Sequence, residues 1–152
     1  FSIPLFFGWA KPVPVDERNL KNVRTDMFWI ALAGPLSNIL LAFVSTGILY
    51  FIVQLSLFAN YQQTIATMLQ MFILTNLFLA IFNIIPLHPL DGGKVLARFL
   101  PAHINRKLEE NEQMTSIILL MLLMVGALSY LRIPVFFIFN HLMNFVGIGS
   151  AI

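Results

Sequence analysis

From Met27 to Leu90 the chain carries no Asp, Glu, Lys or Arg, a run of 64 residues bounded by Asp26 and Asp91. A soluble domain is about one-quarter charged, so a stretch this long without charge points to a bilayer. It is long enough for two crossings, each of which needs about 20 apolar residues. The rest of the composition agrees, with 59% hydrophobic residues, 11% charged residues and a mean hydropathy of +0.84. Lipid offers no partner for a bare peptide group, and a helix satisfies its own. The expected fold class is therefore an all-α membrane protein, a multi-span helical bundle.

The 152 residues form a single transmembrane domain on this reading. Residues 1–26 are a surface segment, apolar from Phe1 to Trp9 and then extended or hairpin-like through Lys11-Pro-Val-Pro-Val15. Two prolines two residues apart exclude a regular helix there. Spans are expected at about 27–57, 65–85 and 113–131. Residues 93–112 are polar, with Val95, Leu96, Phe99 and Leu100 marking a short interfacial helix. The tail 134–152 is apolar again, and the sequence does not decide whether it crosses, re-enters or lies flat. In the first span Gly34-Pro35 predicts a kink. Ala31, Gly34, Asn38, Ala42 and Ser45 recur at helical spacing, a stripe of small and polar side chains suited to close helix packing.

Charge placement gives the orientation. Lys11, Arg18, Lys21 and Arg24 precede the first span, and Lys94, Arg98, Arg106 and Lys107 follow the second. The turn at 58–64 has no charge, and only Arg132 falls beyond the third span. The positive-inside rule makes the basic side cytoplasmic, which puts Asp91 near the cytoplasmic face of the cell membrane. A net charge of +2 gives no reason to expect nucleic acid as a partner. The absence of cysteine excludes disulfides and thiolate metal sites.

Asp91 ends the uncharged run inside Asn83-Ile-Ile-Pro86-Leu-His88-Pro89-Leu-Asp91-Gly92-Gly93. A carboxylate at a break in an apolar span is costly unless a metal, a proton or a counter-ion accompanies it. The pattern Asn83-x-x-Pro86-x-x-x-Leu90-Asp91-Gly92 resembles the N-x-x-P-x-x-x-L-D-G signature of the site-2 protease family of zinc intramembrane metalloproteases. Gly8-Trp-Ala-Lys-Pro-Val-Pro-Val15 and Ala33-Gly-Pro-Leu-Ser-Asn38 resemble two further stretches of that family, in its order. The resemblance covers most of residues 8–100.

The resemblance implies a Zn2+ cofactor held by two histidines of an H-E-x-x-H helix and by an aspartate matching Asp91. Zinc accepts carboxylate beside imidazole, and three protein ligands leave one position open. It implies substrate positioning for Asn83 and the backbone near Pro86, and helix packing near the site for Gly34 and Asn38. The surface segment around 8–15 could offer an edge for strand addition. The substrate implied is a membrane-spanning segment of another protein. No H-E-x-x-H occurs in these 152 residues, and His88, His103 and His141 are scattered. No catalytic residue is therefore assigned here. The expectation is a chain whose N-terminal part, with that motif, precedes Phe1, and which is inactive alone.

Plainer readings stand beside these. Asp91 could cap the helix starting near Gly93, and Asn83 could be an interhelical hydrogen bonder. His88 reads as interfacial or as a neighbour of the metal's ligands, His103 and His141 as ordinary polar positions. Met114, Met121 and Met124 read as packing or lipid-facing. The basic stretch 94–107 would meet anionic headgroups. The rival function is a non-catalytic carrier in which Asp91 binds a proton or cation at a broken helix.

Overall fold

A computed structural model describes residues 22–148 of the chain. The extended segment expected within residues 1–26 falls largely outside them, and Val23 already belongs to a helix. Helix α1 runs from Val23 to Gln54 and α2 from Gln62 to Asn83. Short helices α3 (Asp91–Ala97) and α4 (Ala102–Glu110) follow. Helix α5 spans Glu112–Met124, a 3-10 turn covers Ala127–Leu131, and α6 runs from Arg132 to Val146. No strand occurs among the described residues.

Helices α1 and α2 are long and apolar enough to cross a membrane, and the bent pair of α5 and α6 makes a third crossing if counted as one span. At 32 and 22 residues, α1 and α2 measure about 48 and 33 Å. α1 continues through Pro35, which lies within it and is fully buried. The stripe on α1 faces inward: Ala31, Ala42 and Ser45 are buried, and Leu49 and Ile52 extend the same face. Small side chains let the α2 backbone come close, the packing that lipid-embedded helices favour.

Two of the buried polar side chains, Thr46 and Asn76, bond locally. Thr46 Oγ1 donates to the Ala42 carbonyl at 2.8 Å and Asn76 Nδ2 donates to the Phe72 carbonyl at 2.8 Å. Neither reaches another helix.

The expected third span is divided. Gly126, with φ of 76°, stands between α5 and the 3-10 turn, and α6 leaves at 74° to α5. No residue of α5 is buried. The apolar tail, by contrast, completes the core. Val135, Phe139, Met143 and Val146 of α6 pack with Ala42 and Leu49 of α1 and with Ala66, Ile73 and Leu77 of α2. Gln54 Nε2 donates to the Val146 carbonyl at 3.4 Å, so the end of α6 meets the end of α1. α6 therefore runs parallel to α1 and antiparallel to α2. The polar stretch expected to lie at the interface holds α3 and α4, and α4 has no buried residue.

Candidate metal centre

The site is built where α2 stops. Pro86 has no N–H to continue a helical ladder and disfavours helical geometry in the residue before it, and α2 ends at Asn83. Ile84 and Ile85 still donate to Ala80 and Phe82, at 3.1 and 3.2 Å. The chain then folds back through Leu87, whose N–H bonds the Ile85 carbonyl at 2.7 Å, and Leu90, whose N–H bonds the Leu87 carbonyl at 2.8 Å. Helix α3 begins at once on Asp91. The reversal is tight enough to need two bare α-carbons. A Cβ on Gly92 would fall on the carbonyl oxygens of Ile84 and Ile85, and one on Gly93 would lie 2.8 Å from His88 Nδ1.

Helix α3 is pinned to the start of α1. Arg98 Nη1 donates to Thr25 Oγ1 at 2.7 Å, and the Arg98 guanidinium lies 5.4 Å from the centre of the Phe28 ring. Phe28 meets Phe99 edge-to-face at 6.0 Å. These contacts hold Asp91 against α1 from the far end of α3.

What Asp91 faces is Gly34. A Cβ on Gly34 would stand 3.0 Å from Asp91 Oδ2, so the missing side chain leaves the carboxylate its place. The sequence places Gly34 on the packing stripe; that it lies against the aspartate is a tertiary fact. Asp91 itself is half-buried. It occupies the first turn of α3, where the helix dipole favours a negative charge, but its side chain makes no hydrogen bond among the described residues. Among the described residues no ion pair neutralises it, the one salt bridge being Arg106–Glu110 on the exposed face of α4.

The remaining candidates lie around this pair. Asn83 is the last residue of α2 and half-buried, and Pro86 is exposed on the reversal. Asn38 is one turn beyond Gly34 on the same face of α1. Neither asparagine makes a side-chain hydrogen bond within the described residues. His88 is buried, with its ring against Gly93, a position that its lone place between two prolines gave no means of foreseeing. His103 and His141 are exposed and elsewhere.

Among the described residues no group of three His, Cys, Asp or Glu side chains converges. A zinc site needs three or four such donors. These residues therefore do not make a zinc site by themselves.

The sequence profile of Peptidase family M50 matches residues 52–127, half of the chain, and includes the whole of the reversal. The chain belongs to peptidase family M50, the site-2 protease family. It is also 32% identical over 130 residues to "Putative zinc metalloprotease YwhC" of Bacillus subtilis (strain 168). That alignment covers 84% of this chain and 59% of the relative, so the chain spans about three-fifths of the relative's length. No solved structure matches.

Because Gly34 makes room for Asp91, Gly34→Ala should move the carboxylate rather than unfold the bundle. Only the tip of a short side chain has to yield. The expected result is about a tenfold loss of metal affinity in the full-length protein, the size typical when the support of a ligand is disturbed. Helicity by circular dichroism should not change. Unaltered affinity would mean that the close approach has no bearing on Asp91.

Proposed function

We propose that this chain supplies one zinc ligand, Asp91, to a membrane-embedded zinc metalloendopeptidase that cuts membrane-spanning segments of other proteins. The observation that carries the reading is a half-buried carboxylate, without cap or ion pair among the described residues, held at a helix break against a glycine. A carboxylate kept so is poised for a cation. Family membership supports a protease over the carrier reading.

The two imidazole ligands and the glutamate base come, on this reading, from a part of the protein outside these 152 residues. The chain alone is then inactive. Zinc, when bound, supplies Lewis-acid polarisation of the scissile carbonyl. This chain's residues hold and orient. Asp91 contributes charge and one oxygen. Asn83 and the backbone at Pro86 keep the substrate extended, since a helical substrate hides its carbonyls in its own hydrogen bonds. The basic residues of α3 and α4 face the cytoplasm, with Asp91 near that face of the cell membrane.

The test uses full-length protein reconstituted in lipid with a membrane-anchored substrate. Zinc should co-purify with the protein. Chelation should stop cleavage and zinc should restore it. Cleavage that continues in zinc-free protein overturns the assignment.

A further inference from the structure

Away from the reversal, the start of α6 opens a second polar site. An open cleft of about 630 Å3 is lined by Ser129, Tyr130, Arg132, Ile133, Phe136 and Asn140. Next to it lies a smaller hollow of about 240 Å3, walled by Leu74, Thr75 and Phe78 of α2 and by Val135. Arg132 and Phe136 line both. One hollow is rich in donors and the other is nearly all apolar.

The depth of Arg132 makes this unusual. Thr75 and Phe78 lie roughly 13 and 16 residues along α2 from Gln62, or about 20 and 24 Å. Arg132 therefore sits beside the apolar length of α2, about 8–12 Å short of its Asn83 end, and not past the far end of a span. Its Nε donates to the Ser129 carbonyl at 3.2 Å. Among the described residues its other donors have no partner and no carboxylate lines either hollow. An arginine at such a depth is costly until an anion meets it, and its long stem lets the guanidinium reach towards the nearer interface.

We propose that this cleft binds an anionic phospholipid. The headgroup phosphate takes the free guanidinium donors of Arg132, with Asn140 and Tyr130 as neutral partners, and one acyl chain lies in the hollow of Phe78 and Phe136. The donor-rich hollow suits a phosphate, which guanidinium meets with two parallel hydrogen bonds. The apolar hollow beside it selects a ligand with a hydrocarbon chain over a free anion. The site shares no lining residue with the candidate metal centre and holds whether or not Asp91 binds zinc.

The experiment uses the full-length protein in nanodiscs, with phosphatidylglycerol in a phosphatidylcholine background and native mass spectrometry to count retained lipid. Wild type should keep phosphatidylglycerol in preference to phosphatidylcholine. Arg132→Gln should lose that preference about fivefold, the size of one basic group's contribution, and Arg132→Lys should keep part of it. A variant with Lys94→Gln, Arg106→Gln and Lys107→Gln should keep the preference, which separates the cleft from the surface charges of α3 and α4. As a check that needs no variant, a photoreactive phosphatidylglycerol should label residues 129–140 of wild type, and free inorganic phosphate should not compete. Labelling confined to residues 94–107, equal retention of both lipids by wild type, or displacement by an acidic membrane-spanning peptide but not by phosphatidylglycerol would each overturn the proposal.

Discussion

Asp91→Ala in the full-length protein is expected to abolish zinc retention and cleavage while leaving the bundle folded. The structural loss is small because Asp91 makes no capping hydrogen bond and no ion pair among the described residues. What remains is a favourable place in the first turn of a seven-residue helix, about 0.3–1 kcal/mol. The loss in zinc binding is far larger if Asp91 holds the metal as proposed. Disturbing only the residues that support a ligand typically costs 10–100-fold, so removing the ligand should weaken zinc binding by more than about 100-fold. Asp91→Asn sharpens the test. It keeps the shape that fits against Gly34 and removes the charge, so it should fold like wild type and still fail to hold zinc. Metal content per protein, read beside circular dichroism, decides the matter. Full zinc occupancy in Asp91→Ala would remove this residue from the metal site.

Much of this architecture was legible in the sequence, for physical reasons. Hydropathy marks α1 and α2 because lipid tolerates few charges, and Pro86 marks the end of α2 because it lacks a donor. The stripe from Ala31 to Ser45 is visible because helical periodicity survives in any environment. The third span was less legible. Apolar composition runs past Gly126 to Leu131, and nothing in hydropathy reveals that a left-handed glycine separates α5 from a helix leaving at 74°. That α6 fills the core with Phe139 and Met143, while α5 buries nothing, depends on packing between distant residues. The same limit applies to the site. Gly34 and Asp91 each stand in a recognisable motif, yet their contact joins residues 57 positions apart. Arg132 shows the limit most clearly: counted along the chain it follows a span, and in space it lies beside the C-terminal half of one.

The glycines should respond to alanine in an order set by what each new methyl group meets. At Gly47, inside α1, nothing lies within 4 Å of the new Cβ. Gly47→Ala should therefore be neutral or stabilise by up to about 1 kcal/mol, through the lower flexibility of the unfolded chain. At Gly92 the Cβ meets the carbonyl oxygens of Ile84 and Ile85. Those atoms belong to the backbone and cannot rotate aside, so the whole reversal must shift. Overpacking of this kind costs about 1–3 kcal/mol, and more when backbone moves; Gly92→Ala should fall at or above the upper end. Gly93→Ala should also cost stability, though less than Gly92→Ala, because its Cβ meets the His88 ring at 2.8 Å and the His88 backbone nitrogen at 2.9 Å, whereas the backbone oxygens at Gly92 lie closer still. The measurement is the unfolding midpoint of each full-length variant in detergent, with zinc content alongside. A shift of the reversal carries Asp91 away from Gly34, so Gly92→Ala should lose stability and zinc together, unlike Asp91→Asn, which loses zinc alone. If Gly92→Ala is as stable as Gly47→Ala, the tight reversal that places Asp91 is not present in the folded protein, and the geometry assigned to the metal ligand goes with it.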